Sequence, residues 1–177
     1  MLGMIFTEMV EMIEETFSPE MADEILDEAN LEHGGAYTAV GYYPFEEVVT
    51  LVSLLSQKTG MPVPDLIEAF GSYLFNSFTK SHAQLLVNKH SLFDLLDTLD
   101  GDIHKEVYKL YPDAALPKFN VVSKTDHSLE MEYRSERNLQ PLALGLMKGA
   151  ADYFGHQQVQ IEQQPLDDGA TLFRVSI

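Results

Sequence analysis

The spacing of apolar residues changes character once along this chain, across the stretch from Tyr111 to Pro117, Tyr-Pro-Asp-Ala-Ala-Leu-Pro. Before it, apolar positions recur at helical intervals; after it, they alternate as strands do. Leu2, Ile5, Phe6, Met9 and Ile13 form one stripe of a first helix, with Glu8, Glu11, Glu14 and Glu15 turned elsewhere. A second helix follows, with Ser18 as its N-cap and Pro19 at its first position. The glycines and proline between His33 and Pro44 mark a connection. Further helices are expected over residues 45–59, 64–79 and from about 91 to just before 111.

Beyond Pro117 a hairpin is expected to turn near Thr125 and Asp126. Helical texture returns with Pro141 near its start and Gly155 as its stop, and two short strands then flank Asp167-Asp168-Gly169. This order gives an α+β fold: a helical part over about residues 1–115, and a part over about 116–177 holding an antiparallel sheet of about four strands and one helix. Repeats, low-complexity tracts and linkers are absent, and the 177 residues are expected to form one domain.

If the strand ending the hairpin alternates throughout, Leu129, Met131, Tyr133, Ser135 and Arg137 share one face. Glu130, Glu132, Arg134 and Glu136 take the other, which is the wet one. An arginine, a serine and a tyrosine are thus in line with the residues that ought to be covered. Two readings stay open. Arg137 curls into water at the strand end, or the three side chains hold the carboxylate of something enclosed.

Composition narrows the function. A net charge of −17, from 28 acids against 11 bases, opposes nucleic acid and anionic membranes. There is no cysteine, which removes disulfides, thiolate nucleophiles, cysteine zinc sites and covalent c-type haem attachment. The first apolar run is too short and too acidic for a signal peptide, no later run is long enough to span a bilayer, and a cytoplasmic protein is expected. No Gly-rich phosphate loop, G-x-S-x-G elbow or kinase signature is present.

Of the histidines His33, His82, His90, His104, His127 and His156, the best placed is His104. Asp100, Gly101 and Asp102 precede it as a helix break and possible cap, and Tyr108 and Tyr111 follow on its stripe. It has no partner at zinc-enzyme spacing. A haem iron needs only one protein nitrogen, since the porphyrin supplies four ligands.

At these residues the chain resembles the haem nitric oxide/oxygen binding family, the bacterial relatives of the soluble guanylate cyclase sensor domain. "DIHKEVYKLYPDAALPKF" followed by "YRSER" carries the likeness, which runs from "MLGMIFTEMVEMIEE" through "FGSYLF" to the closing strands. The resemblance implies a noncovalent haem b with His104 as its iron ligand and Tyr133, Ser135 and Arg137 as a propionate clamp. It also implies that Pro117 and Ile5 press the porphyrin from opposite sides, and that Met9, Leu142 and Leu146 line the gas side.

Oxygen-binding members of the family place a tyrosine where this chain has Leu142. The implied function is therefore a cytoplasmic, noncatalytic sensor of nitric oxide and carbon monoxide that excludes dioxygen. It would signal through stretching or rupture of the iron bond to His104, with the porphyrin relaxing against Pro117 and Ile5. Implied partners are a separate histidine kinase or a cyclic-di-GMP synthase or hydrolase, with neither nucleic acid nor membrane. The cysteine-rich zinc site of some relatives cannot form here. Two other classes stay open: a haem-free acidic interaction module, and an enzyme that uses Arg137 to anchor a carboxylated substrate.

Overall fold

The computed structural model describes residues 1–177. The helices are α1 (Gly3–Thr16), α2 (Pro19–Ala29), α3 (Phe45–Thr59), α4 (Val63–Ser81), α5 (Leu92–Asp97), α6 (His104–Leu110) and α7 (Gln140–Tyr153). The strands are β1 (Lys118–Lys124), β2 (Ser128–Arg134), β3 (Gln160–Pro165) and β4 (Thr171–Ser176). They form one antiparallel sheet in the order β1-β2-β4-β3, so the expected α+β arrangement is what the chain adopts.

Local chemistry sets most boundaries. The Ser18 hydroxyl accepts the Met21 N–H at 3.1 Å, satisfying one of the free donors at the start of α2. Gly60 ends α3 in the left-handed region, where a side chain would strain the backbone. The β1–β2 hairpin closes where expected, with Thr125 N donating to Ser128 O at 2.8 Å.

The last helix of the first part departs from expectation. It is broken into α5, a π-helical turn over Leu99–Ile103, and α6. The Thr98 carbonyl accepts from both Asp102 N (2.8 Å) and Ile103 N (3.4 Å), which accommodates one extra residue in the turn. β2 also stops earlier than strict alternation suggests: Arg134 is its last residue, and Asn138 turns the chain through the left-handed region.

Two apolar cores result. One joins α1, α2, α3 and α4 around Phe6, Ile13, Leu51 and Phe70; the other joins α5, α7 and the sheet around Leu92, Leu129, Ala151 and Phe173. They meet where α4 crosses α7. A Cβ built on Gly145 would lie 1.9 Å from the Glu68 carbonyl oxygen, and one on Gly71 would lie 2.4 Å from that of Leu142. Ser72 Oγ donates to Gly145 O at 2.9 Å across the same contact.

Gly145→Ala should therefore destabilise the fold by about 1–3 kcal/mol, the usual cost of overpacking. The measurement is urea unfolding of Gly145→Ala beside Gly101→Ala, where an added Cβ meets nothing within 4 Å. Equal midpoints for the two variants would contradict the close crossing.

Candidate functional site

A cavity opens between the α4–α7 wall and the segment running from the π-helical turn through α6 to β1. Of its 32 lining residues 27 are hydrophobic, so the few polar side chains that enter it define what it can hold. They are His82, His104, Ser135 and Arg137, with the phenols of Tyr111 and Tyr133.

His104 opens α6 and lines the cavity with 15% of its side chain exposed. Its Nδ1 lies 2.7 Å from Asp100 Oδ1, and Asp100 Oδ2 accepts the backbone N–H of Phe119 at 3.0 Å. Burial holds the imidazole below its usual range, while the charge and hydrogen bond of Asp100 pull the other way. The balance favours the neutral ring. A carboxylate only accepts, so Nδ1 carries the hydrogen and Nε2 keeps a free lone pair.

Asp100 is thus a partner of His104 as well as part of the helix break. The D-x-x-x-H spacing was the sequence signal for it, obscured because a π-helical turn lies between the two residues.

Tyr133 is the last inward-facing residue of β2 and is 2% exposed. Burial pushes its phenol up, and hydrogen bonds with Ser135 and the Leu139 backbone act against that shift. Ser135 and Arg137 reach the cavity from the turn after β2 rather than from the strand. Ser135 Oγ accepts the Arg137 backbone N–H at 3.2 Å, and Arg137 Nη1 donates to Ala115 O at 3.2 Å. The guanidinium carbon stands 5.6 Å from the centroid of the Phe45 ring. The cations of Arg134 and Arg174 pair with acids, but Arg137 makes no ion pair.

Ile5, Pro117, Leu142 and Leu146 line the cavity. Met9 does not. The cavity reaches only the first turn of α1, and Met9, one turn deeper, is 2% exposed inside the helical core. Tyr108 points outward and is 42% exposed, so of the two tyrosines placed on the His104 stripe only Tyr111 lines the cavity. Tyr73 is also outside the lining.

His82 was missed. It follows α4 on the stripe of Leu74 and Phe78, a spacing that signals it, and its Nδ1 lies 2.8 Å from Ser81 Oγ. No group of three or more histidine, aspartate or glutamate side chains converges anywhere to hold a metal. A metal in this cavity must bring most of its own ligands.

A helical part packed on an antiparallel sheet around an apolar enclosure, lined by the imidazoles of His82 and His104 and by the unpaired guanidinium of Arg137, defines an α+β domain with an internal ligand-sized cavity. The chain belongs to the Haem-NO-binding family, whose model matches residues 2–163.

It is similar to the Fe(II) unliganded H-NOX protein from K. algicida, with 34% identity, coverage of 99% of this chain and 96% of that one, and a TM-score of 0.89. It is also similar to the H-NOX protein from S. oneidensis in the Fe(II)NO ligation state, with 25% identity, coverage of 99% and 98%, and a TM-score of 0.88. Among curated proteins it is 24% identical over 157 residues to soluble guanylate cyclase gcy-35 of Caenorhabditis elegans, covering 85% of this chain and 22% of that protein. The chain spans less than a quarter of the length of that relative.

In protein prepared without haem, the His104 ring signals should titrate below the ordinary 6.5. Asp100→Asn should move that midpoint lower still, because the carboxylate is the group favouring the imidazolium. Nuclear magnetic resonance against pH measures both, and a midpoint at or above 6.5 would contradict the burial argument.

Proposed function

We propose that this chain is a cytoplasmic, noncatalytic haem-based gas sensor that binds nitric oxide and carbon monoxide at ferrous haem b and excludes dioxygen. His104 would supply the protein ligand through Nε2, and Tyr133, Ser135 and Arg137 would hold the propionates. Ile5 and Pro117 would bear on the porphyrin, with Leu142 and Leu146 on the gas side. Met9 drops out of this set, since it lies outside the cavity lining.

The donor set fits the group. A planar guanidinium without an acid partner, beside two hydroxyls, suits carboxylates at a half-buried edge. One neutral imidazole suits a metal that arrives with four other ligands. Haem held there supplies a ferrous iron with one position open to a diatomic gas.

Gas choice rests on one observation: the wall contributed by α1, α4 and α7 carries no hydrogen-bond donor side chain. Met4, Ile5, Leu74, Phe75, Phe78, Leu142, Ala143, Leu146, Met147 and Ala150 make up those parts of the lining. Retention of dioxygen calls for a donor aimed at it, and nitric oxide needs none. His82 stands past the end of α4 and is engaged with Ser81.

The output follows from where His104 sits. A change at its Nε2 acts on the first residue of α6, and a bias between two packings of the helical part against the sheet is the proposed signal. The effector is proposed to be a separate protein, a histidine kinase or a cyclic-di-GMP synthase or hydrolase. The net charge of −17 favours a basic face on it.

Leu142→Tyr should slow loss of dioxygen about 10- to 100-fold, the worth of one hydrogen bond to a charged acceptor. Unchanged dioxygen kinetics in that variant would mean that the gas side is built elsewhere. Haem-loaded His104→Gly should lose its native Soret position and regain it with added imidazole; a spectrum indifferent to the substitution would remove His104 from the iron.

A further inference from the structure

We infer that Asp100 is a positioning residue for His104: its carboxylate decides which imidazole nitrogen faces the cavity and ties that ring to the backbone of β1. The inference rests on the reading of His104 as the haem ligand.

Both carboxylate oxygens are committed, each to an N–H from a different element. Oδ1 takes the Nδ1 hydrogen of His104 at 2.7 Å, and Oδ2 takes the Phe119 amide of β1 at 3.0 Å. The group is held from two sides and cannot rotate without giving up one bond. With Nδ1 engaged, Nε2 is the nitrogen left for a metal. An acceptor behind a ligating imidazole also raises its basicity.

The Phe119 side chain adds to the arrangement. Its ring centroid is 5.9 Å from that of His104 and 5.3 Å from that of Tyr133. Displacement of the imidazole therefore pulls, through Asp100, on the strand that begins just after Pro117. Neither Asp102 nor Glu106 can substitute, because each is engaged with a lysine, Lys89 and Lys109 respectively.

The experiment separates the ring from its anchor. Imidazole and 1-methylimidazole both present a lone pair to iron, but only imidazole has an N–H left to give Asp100. Haem-loaded His104→Gly protein is titrated with each ligand by its Soret band, and both titrations are repeated with Asp100→Asn added. Imidazole affinity should fall about tenfold on adding Asp100→Asn, as is usual for loss of an outer partner of a metal ligand. The affinity for 1-methylimidazole should not change.

Equal losses for the two ligands would reveal a merely structural residue, and no loss for either would remove Asp100 from the role. Should the double variant fail to hold haem, His104→Gly alone decides. Its preference for imidazole over 1-methylimidazole should exceed that of free haem by about tenfold, and an equal preference overturns the inference. A His104→Gly spectrum that ignores both ligands would bring down the haem-ligand reading itself, and the inference with it.

Discussion

The crossing of α4 over α7 is the contact on which the cavity depends. Backbone meets backbone there: the ideal Cβ of Gly145 would stand 2.9 Å from the Gly71 Cα, so neither position has room for a side chain. That closeness lets one pair of helices serve both cores. α4 gives Phe70 and Leu74 to the helical core and Phe75 to the sheet core, while α7 gives Leu144 and Met147 to the latter and lays Leu142 and Leu146 against the former. Leu74, Phe75, Leu142 and Leu146 then form a continuous apolar wall. Any residue that forced the helices apart would split this wall before it reached anything polar.

Against that wall, electrostatics acts at very few points. Most of the cations in this acidic chain are spent on surface pairs such as Lys58 with Glu24 and Glu28, or Lys124 with Asp97. Pairs of this kind contribute little to stability. Arg137 is the one arginine left without an acid, although acids outnumber bases 28 to 11. It rests on a carbonyl and an aromatic face, partners that hold the guanidinium in place without neutralising it. The enclosure therefore keeps a positive charge that only an arriving acidic group would complement.

The sequence revealed the elements and their order where one local rule decided each of them. Ser18 with Pro19, Gly60, and the Asp-Asp-Gly turn with Gly169 in the left-handed region are examples. Leu142 and Pro117 were legible as cavity residues only through a family likeness, since nothing in an isolated leucine or proline says which way it faces. Alternation correctly turned Tyr133 inward. It also carried Ser135 and Arg137 to the right place for an incomplete reason, because the strand ends at Arg134 and a turn does the rest. Met9 shows the opposite failure: helical periodicity gives a face and says nothing of depth, and the cavity ends one turn before it. Asp100 was hidden because its partnership with His104 depends on a π-helical turn that no periodicity announces.

That turn has a mechanical consequence. An extra residue in a helix rotates everything after it by about 100°. α5 accordingly buries Leu92, Phe93, Leu95 and Leu96 in the sheet core, whereas no residue of α6 is fully buried and His104 is only partly so. Tyr108 and Leu110 of α6 are exposed, and its Lys109–Glu106 pair is a surface one. What holds α6 in place is its covalent ends, the cavity-lining side chains of His104, Val107 and Leu110, and the Asp100 hydrogen bond. Elements with few buried contacts are the ones that open or shift at least cost. The imidazole thus sits on a helix with few buried contacts, while Asp100 connects it to the backbone of β1, the edge strand paired with β2.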